Sequence, residues 1–345
     1  MKSTMLLLPL AAAAVALEQQ IPLNPSSGAA QPLTLDAIPL LGFGTWNLKE
    51  GNTSEAVSYA IEVGYRHIDG AAAYGNEEEV GKGIAAGLQK TGLKREDLWI
   101  TSKLWNDHHA PEAVQEAIDL SLKKLGLDYL DLYHMHWPVA SGAGGENQIY
   151  YLKTWEAMVK QFKAGKTRHI GVSNFGPDQL TDLLNNTSTA PHVHQFELHP
   201  YLQQKEWVEY HSKLGIHVTA YSPFAGTNPT YTPGDKPVPL LQSKVLNKIA
   251  KKRGCTAAQV ALQWGMSRGT SVIPKSIKRT HIESNFHATQ CVLKAKDLHK
   301  LEKLGEYHHR YSNPSKKWDV PLYKGLEDYD GKHKAAKWFK HKEDL

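Results

Sequence analysis

Short apolar runs alternate with segments of helical periodicity along most of this 345-residue chain. Apolar runs of four to eight residues bounded by turn residues are typical of buried strands. Such runs occupy residues 43–46, 65–70, 98–104, 130–137, 169–173, 194–198, 217–222 and 271–275. Because alternation of this kind implies parallel βαβ units, the eight strands predict an α/β fold closed into a (β/α)8 TIM barrel. The active site of such a barrel lies at the carboxyl mouth of its strands.

The helices between these strands are predicted from their start and stop signals. Pro111 is expected to begin a helix that Gly126 ends. Acidic residues at 77–79 open another helix, and residues 257–266 form the helix before the last strand. An open doubly wound sheet is the competing architecture, but it needs a Gly-x-Gly-x-x-Gly turn after a strand. Gly81-Lys82-Gly83 lies inside a predicted helix and lacks the third glycine.

Polar side chains end successive predicted strands, and in a parallel barrel these ends meet at one mouth. Each alone has an ordinary structural explanation: a helix cap for Asp69, a surface charge for Lys103, a satisfied core histidine for His136. Their recurrence at one strand end after another favours a shared site. The set is Asp69, Lys103, His136, Ser173, Asn174, Gln195, Tyr221, Ser222 and Lys275, with Tyr74 in the loop after the second strand.

Seven stretches around these residues follow one another in the order GYRHIDGAAAYGNEEEVG, TSKLW, HMHWP, GKTRHIGVSNF, QFELHP, AYSP and IPKS. In this order they resemble the aldo-keto reductase superfamily over residues 33–311. The resemblance implies a TIM barrel with NADPH extended across its mouth and reversible reduction of aldehydes and ketones to alcohols. The run IESNF at 282–286 is similar to fungal alditol and glyceraldehyde reductases, which implies a small carbonyl or polyol substrate.

The resemblance assigns catalysis to four residues. Tyr74 would protonate the carbonyl oxygen as it receives hydride from the nicotinamide. A free phenol has a pKa of about 10, so Lys103 is expected to lower the pKa of Tyr74, and Asp69 to hold the lysine ammonium by ion pairing. His136, in its neutral form, would orient the carbonyl group.

The resemblance also implies the groups that bind cofactor and substrate. Ser173, Asn174 and Gln195 would hydrogen-bond the carboxamide, Tyr221 would stack on the nicotinamide, and a loop from Ser222 would fold over the pyrophosphate. The implied cofactor set is Thr45, Trp46, Asp69, Ser173, Asn174, Gln195, Tyr221, Ser222, Pro223, Phe224, Lys275, Ser276, His281 and Asn285. The implied substrate set is Trp46, Trp105, His136 and Trp137.

The phosphate-binding segment departs from the family pattern. Lys275 and Ser276 are in place, but His281 stands where NADPH-preferring members have an arginine that clasps the 2′-phosphate. A neutral imidazole offers one donor and no bidentate fork. We therefore expect NADPH with reduced discrimination against NADH, with Lys278 or Arg279 as possible compensating cations.

Two other regions affect the expected substrate pocket. The connection at 139–148 is short and Gly-rich, which suggests an open pocket and broad or polyol-related substrates, although analogy at family level does not choose a substrate. The segment from Tyr311, with Asn313-Pro314 and Trp318, is expected to supply the last pocket loop.

The N-terminus has the build of a secretory signal peptide. Lys2 precedes an apolar run at 5–15, and Ala14-Val15-Ala16 provides small residues for cleavage; the run is too short to span a membrane. The last four residues, Lys-Glu-Asp-Leu, resemble an endoplasmic reticulum retrieval signal with its middle acids exchanged. We expect the secretory pathway, in the endoplasmic reticulum lumen, with a cytoplasmic location as the alternative. Sequons at Asn52, Asn185 and Asn186 permit glycosylation.

The predicted organisation is a signal peptide at 1–16, a linker at 17–32, the barrel at 33–311, and a C-terminal loop and charged tail at 312–345. The net charge is +5, but Lys and Arg are interspersed with acids except in the tail, so no nucleic acid partner is expected. The two cysteines, Cys255 and Cys291, are expected to be free buried thiols. No metal is expected, since His108-His109 lacks accompanying ligands. We expect a monomer.

Two other functions compete with a reductase. The same fold serves as a regulatory subunit of potassium channels in some proteins, so a nucleotide-sensing binding subunit with little turnover remains the alternative; turnover of a simple aldehyde distinguishes the two. A serine hydrolase is disfavoured, because the run Gly-Val-Ser-Asn-Phe at 171–175 lacks the second glycine of a nucleophile elbow.

Overall fold

The computed structural model describes residues 38–49, 51–142, 147–227 and 238–326. Its strands are β1 Phe43–Gly44, β2 His67–Asp69, β3 Trp99–Leu104, β4 Leu132–Met135, β5 Val139–Ser141, β6 Asn147–Ile149, β7 Ile170–Ser173, β8 Val193–Glu197, β9 His217–Tyr221 and β10 Ser271–Val272. Its helices are α1 Thr53–Val63, α2 Glu77–Thr91, α3 Ala113–Leu125, α4 Leu152–Lys163, α5 Pro177–Asn185, α6 Lys205–Lys213, α7 Lys244–Arg253, α8 Ala257–Met266, α9 Arg279–Phe286, α10 Ala295–Glu302 and α11 Ser315–Trp318.

Eight of these strands form one parallel sheet in the order β1-β2-β3-β4-β7-β8-β9-β10. The sheet closes on itself beside β1, where Leu41 forms a parallel bridge with Val272 and Gly42 N–H donates to the Val272 carbonyl at 2.9 Å. The predicted (β/α)8 barrel is therefore confirmed. All eight predicted strands are present, several with shorter limits.

The helices follow the apolar periodicity where it is strong. In α3 the residues Val114, Ile118, Leu122 and Leu125 are buried, and Gly126 ends the helix in the left-handed region with φ 67°. This is the backbone conformation that glycine adopts without a steric penalty. The helix begins at Ala113, two residues after the predicted Pro111. The Gly81-Lys82-Gly83 run lies inside α2, as predicted.

The sequence pattern did not predict helices α6, α9, α10 and α11 or the strands β5 and β6. Helix α6 buries only Trp207 and His211, so its apolar face is too sparse to give a clear period. The antiparallel pair β5–β6 begins in the Gly-rich connection at 139–148 and ends at Ile149. Val139 of this pair is buried in a small cluster with Trp137 and Tyr323 from the C-terminal segment.

The expectation of free cysteines is wrong. Cys255, just before α8, and Cys291, after α9, form a disulfide with a Cα–Cα distance of 5.9 Å. The pair is 36 residues apart in sequence, and only folding brings both thiols to the same side of the barrel. Pairing of two isolated cysteines is a property of the fold that spacing alone does not reveal.

The predicted signal peptide, linker and retrieval signal lie outside the described residues. Among the residues that the structure describes, we find no helix with the length and apolar character needed to cross a membrane.

Candidate active site

Lys103 is the hub of a buried polar network at the carboxyl mouth of the barrel. It lies on β3, its side chain is fully buried, and its Nζ donates to Asp69 Oδ1 at 2.6 Å and to the Gly70 carbonyl at 2.8 Å. A third bond reaches the Tyr74 hydroxyl at 3.2 Å. A buried ammonium has three donors to satisfy, and here each meets an oxygen. The predicted convergence of Asp69, Lys103 and Tyr74 is observed.

The surroundings of Tyr74 shift its pKa in the direction opposite to the one expected from the sequence. Burial, and then the Asp69 carboxylate, raise the pKa of Tyr74 well above its usual value. The phenol therefore keeps its proton at neutral pH, which suits a proton donor. Lys103 Nζ lies within hydrogen-bond distance of the Tyr74 oxygen, where an ammonium favours the charged form of a phenol.

His136 packs against Tyr74, with the two ring centroids 5.7 Å apart in an edge-to-face arrangement. Burial, followed by the charges of Lys103 and His134, lowers the pKa of His136 well below its usual value. The imidazole is therefore neutral, as predicted. Burial also lowers the pKa of Lys103, but its ion pair with Asp69 opposes that shift.

A second layer of amides ties the neighbouring strand ends to this centre. Gln195 on β8 donates from Nε2 to Asp69 Oδ2 at 2.7 Å, so Asp69 is held by two partners. Asn174 donates to the His136 carbonyl at 3.0 Å and accepts from the Tyr221 hydroxyl at 2.7 Å. Its backbone has a φ of 61°, a region that asparagine tolerates better than most residues.

A cavity of about 990 Å³ opens over this network. All the residues implied for cofactor or substrate contact line it: Thr45, Trp46, Asp69, Tyr74, Trp105, His136, Trp137, Ser173, Asn174, Gln195, Tyr221, Ser222, Pro223, Phe224, Lys275, Ser276, His281 and Asn285. Lys103 lies beneath the cavity and reaches it only through Tyr74 and Asp69.

Aromatic rings form the wall above Tyr74 and His136. Trp105 packs edge-on against His136 at 5.1 Å between ring centroids. Trp318, from the C-terminal segment, packs edge-on against Trp137 at 4.9 Å and Trp105 at 6.0 Å. The expectation that the segment after Tyr311 supplies a pocket loop is confirmed by this packing and by its place in the cavity wall.

Another part of the cavity lining, which we call the far end, consists of Lys275 and Ser276 after β10 and His281 of α9. Arg279 does not line the cavity. The Arg279 guanidinium instead pairs with Glu55 at 2.9 Å and lies 4.5 Å from the centre of the Tyr59 ring. Arg279 is therefore engaged on the face of α1 and is not placed to compensate for His281.

Sequence reasoning missed one part of this cavity, the N-terminus of α8 at Thr256, Ala257 and Ala258. A signal was present, because Thr256 and Gln259 form a capping box in which each side chain accepts from the other residue's backbone N–H. Exposed backbone N–H groups at a helix start favour anionic or polar ligands. Within the described ranges, no three His, Cys, Asp or Glu side chains converge as metal ligands.

Comparison with known proteins identifies the family. Residues 40–306 match the sequence profile of the aldo/keto reductase family. An uncharacterized oxidoreductase of Schizosaccharomyces pombe is 45% identical over 306 residues, which cover 84% of this chain and 92% of that protein. The D/L-glyceraldehyde reductase of Hypocrea jecorina is 41% identical over 324 residues, covering 87% of this chain and 95% of that protein.

Among solved structures, a Bombyx mori aldo-keto reductase in complex with NADP superposes with a TM-score of 0.77 at 38% identity, covering 83% of this chain and 95% of that one. The barrel, the buried lysine network at its mouth and these likenesses agree, and the chain belongs to the aldo/keto reductase family.

Proposed function

We propose that this protein is an NADPH-dependent reductase of small aldehydes and ketones, in which Tyr74 is the proton donor. The observation that carries the proposal is the contact of Lys103 Nζ with both Asp69 and Tyr74, beside a neutral His136. A protonated phenol, a buried cation and a neutral imidazole facing one cavity form a donor set for a developing alkoxide.

The residues of the site act on the carbonyl oxygen. Tyr74 and His136 both face the cavity and hold the substrate oxygen by hydrogen bonds. Bound NADPH supplies the hydride. As negative charge develops on the oxygen, Tyr74 gives up its proton, and Lys103 stabilises the phenolate at 3.2 Å. Asp69 keeps the ammonium in place throughout. In the direction of alcohol oxidation the same groups act in reverse.

The residues present fit an extended dinucleotide. The amides of Asn174 and Gln195 lie beside the catalytic centre, where a carboxamide needs polar partners. Tyr221 offers a ring, and Lys275 with Ser276 offers a cation and a hydroxyl for a phosphate at the far end. The cofactor is NADP(H), the form bound to the Bombyx mori relative.

The substrate is proposed to be a short aldehyde or the corresponding polyol. Trp46, Trp105, Trp137 and Trp318 make an apolar wall around a few polar groups, which suits a small molecule with one reacting carbonyl. The likeness to a D/L-glyceraldehyde reductase supports the same class.

The test is oxidation of NADPH, and separately of NADH, by the purified protein with DL-glyceraldehyde. Tyr74→Phe removes the proton donor and should lower kcat by about 10² to 10⁴. Tyr133→Phe is the matched control, because Tyr133 is a buried tyrosine of β4 outside the cavity. No turnover despite tight NADPH binding would favour the regulatory subunit instead.

We further propose that the protein works in the secretory pathway as a monomer. The Cys255–Cys291 disulfide supports an oxidising compartment, and the sequon residues Asn52, Asn185 and Asn186 are exposed. One chain supplies every residue of the cavity used above. Recovery of a soluble cytosolic protein with Met1 retained would overturn the location, and light scattering on the purified protein tests the monomer.

A further inference from the structure

Glu197 is a buried carboxylate that the proposed mechanism does not use. It is the last residue of β8, two positions after Gln195, and its side chain is fully buried. A charged carboxylate is rarely removed from water unless several donors compensate for its lost hydration. The hydrogen-bond donors around the Glu197 carboxylate therefore indicate its structural role.

Those donors come from a distant part of the chain. Glu197 Oε1 accepts from the Tyr311 backbone N–H at 2.8 Å, and Oε2 accepts from the Ser312 backbone N–H at 2.7 Å. The His199 Nε2 lies 2.8 Å from Oε1. Burial alone would raise the pKa of Glu197, but the bonds from His199 and the backbone, with the charge of Arg310, lower it overall. The carboxylate is therefore ionised at neutral pH.

The two N–H groups belong to a stretch that we call the wall segment, residues 310–318. Tyr311, Ser312 and Trp318 of this segment line the cavity. Trp318 reaches the substrate end by packing on Trp137 and Trp105. The chain just before Trp318 contributes the short helix α11. The Tyr323 hydroxyl donates to the Ser312 carbonyl at 2.9 Å, so Glu197 and Tyr323 both attach the first residues of the segment.

The wall segment also touches the loop that follows β9. The Tyr311 ring lies so close to Gly226 that a Cβ at that position would overlap it. Residues 222–227 are the loop proposed to fold over the cofactor pyrophosphate. A carboxylate that fixes Tyr311 therefore connects the substrate wall with the cofactor loop.

We propose that Glu197 is a positioning residue that holds the wall segment over the pocket and thereby determines the affinity for bulky carbonyl substrates. This inference rests on the proposed reductase function. Glu197 lies outside the donor set of Tyr74, Lys103 and His136, so it acts on substrate binding and not on proton transfer.

A carboxylate is required because it presents two oxygens that only accept. Glu197→Gln keeps the size of the side chain but replaces one acceptor with an NH₂ group, which opposes a backbone N–H. One of the two attachments, to Tyr311 or to Ser312, is then lost. The loss of a charge-assisted bond to a buried group weakens the attachment substantially.

The experiment compares a small and a bulky substrate in the intact protein. For Glu197→Gln we expect KM for an aromatic aldehyde such as 4-nitrobenzaldehyde to rise about tenfold, while kcat for DL-glyceraldehyde stays within about threefold of the parent. The control is Asp131→Asn, which alters a buried carboxylate at the opposite end of the barrel, where it binds Arg95 and the Ile100 N–H. Asp131→Asn should lower the stability of the protein without changing the ratio of the KM for 4-nitrobenzaldehyde to the KM for DL-glyceraldehyde. An equal change of this ratio in both variants would overturn the proposal.

Two further measurements do not depend on turnover. Trypsin should cut Glu197→Gln after Lys316 or Lys317, both exposed, faster than it cuts the parent or Asp131→Asn. In the parent, hydrogen exchange should show the Tyr311 and Ser312 amides protected. Free exchange at both amides would overturn the proposal even if the variant fails to fold. If the parent protects these amides but reduces no aldehyde, the reductase function fails and the attachment of the wall segment stands.

Discussion

The two ends of the cavity are built on different principles. At the end next to Tyr74, which we call the reacting end, Asp69 and Lys103 are buried and hydrogen-bonded to each other. Gln195 donates to the other oxygen of Asp69, so removing any one of these side chains leaves a buried polar group without its partner. At the far end, Lys275 is partly exposed in the connection between β10 and α9, and His281 is exposed on α9. The reacting end is a closed network in which each group depends on the others. The far end is a set of separate contacts.

This difference predicts how each end responds to substitution. In a buried network the penalty for an unpaired charge adds to the loss of the bond itself. At an exposed site, water replaces a lost partner, so the effect is limited to the affinity for the ligand. Chemistry should therefore be sensitive at the reacting end, and cofactor choice should be adjustable at the far end.

The largest expected effect is the difference in kcat between two single variants, in which either Lys103 or Lys275 is replaced with methionine. Lys103→Met removes the cation beside Tyr74 and should lower kcat by about 10² to 10⁴. Lys275→Met should raise the Kd for NADPH by about tenfold and leave kcat within about threefold. Steady-state kinetics and NADPH fluorescence titration measure both. A similar loss of kcat in both variants would remove the distinction between the ends.

The disulfide fixes the frame of the far end. Cys255 precedes Thr256 at the start of α8, and Gln259 of that helix donates to the Ser284 carbonyl of α9 at 2.7 Å. Replacing both cysteines with alanine should lower the free energy of unfolding by about 2 to 4 kcal/mol, measured by urea titration. An unchanged midpoint would mean that the bridge is not formed in the purified protein.

Cofactor choice should change at His281. An arginine there restores a bidentate fork for the 2′-phosphate, so His281→Arg should raise the NADPH/NADH ratio of kcat/KM by about tenfold. Arg279→Met is the matched control, since Arg279 is engaged with Glu55 and Tyr59 and should leave the ratio unchanged. If the control moves the ratio and His281→Arg does not, Arg279 is the phosphate ligand.

The smallest expected effect is that of pH on kcat/KM. Burial raises the pKa of Tyr74, so the phenol loses its proton only at a pH above the usual pKa of tyrosine. Burial lowers the pKa of His136, so the imidazole gains a proton only at a pH below the usual pKa of histidine. Neither group changes charge between about pH 6.5 and 10. Reduction at saturating NADPH should therefore show a flat kcat/KM from pH 7 to 9, as measured in buffers of constant ionic strength. A bell-shaped curve within that range would assign a titrating group to the reacting end.

The sequence predicted the features that short stretches of the chain determine, namely the strands and the polar residues at their ends. Asp69, Lys103 and His136 each end a strand, and a parallel barrel brings such ends together whatever their distance along the chain. Glu197 was present in the same kind of position, but its partners Tyr311 and Ser312 are backbone groups of a segment without periodicity. Likewise, the Cys255–Cys291 bond depends on where α8 and α9 pack. Contacts between remote irregular segments leave no local pattern to detect.

Closure of the barrel between Leu41 and Val272 has a consequence for biosynthesis. Among the described strands β1 is synthesised first, yet one of its edges stays unpaired until β10 emerges, roughly 10 to 50 seconds later at ordinary translation rates. An open strand edge invites pairing with other chains. Lys275, α9 and the wall segment emerge later still. A nascent chain therefore carries the network around Tyr74 well before it carries Lys275 and the wall segment, and the cavity is complete only once Trp318 has been synthesised.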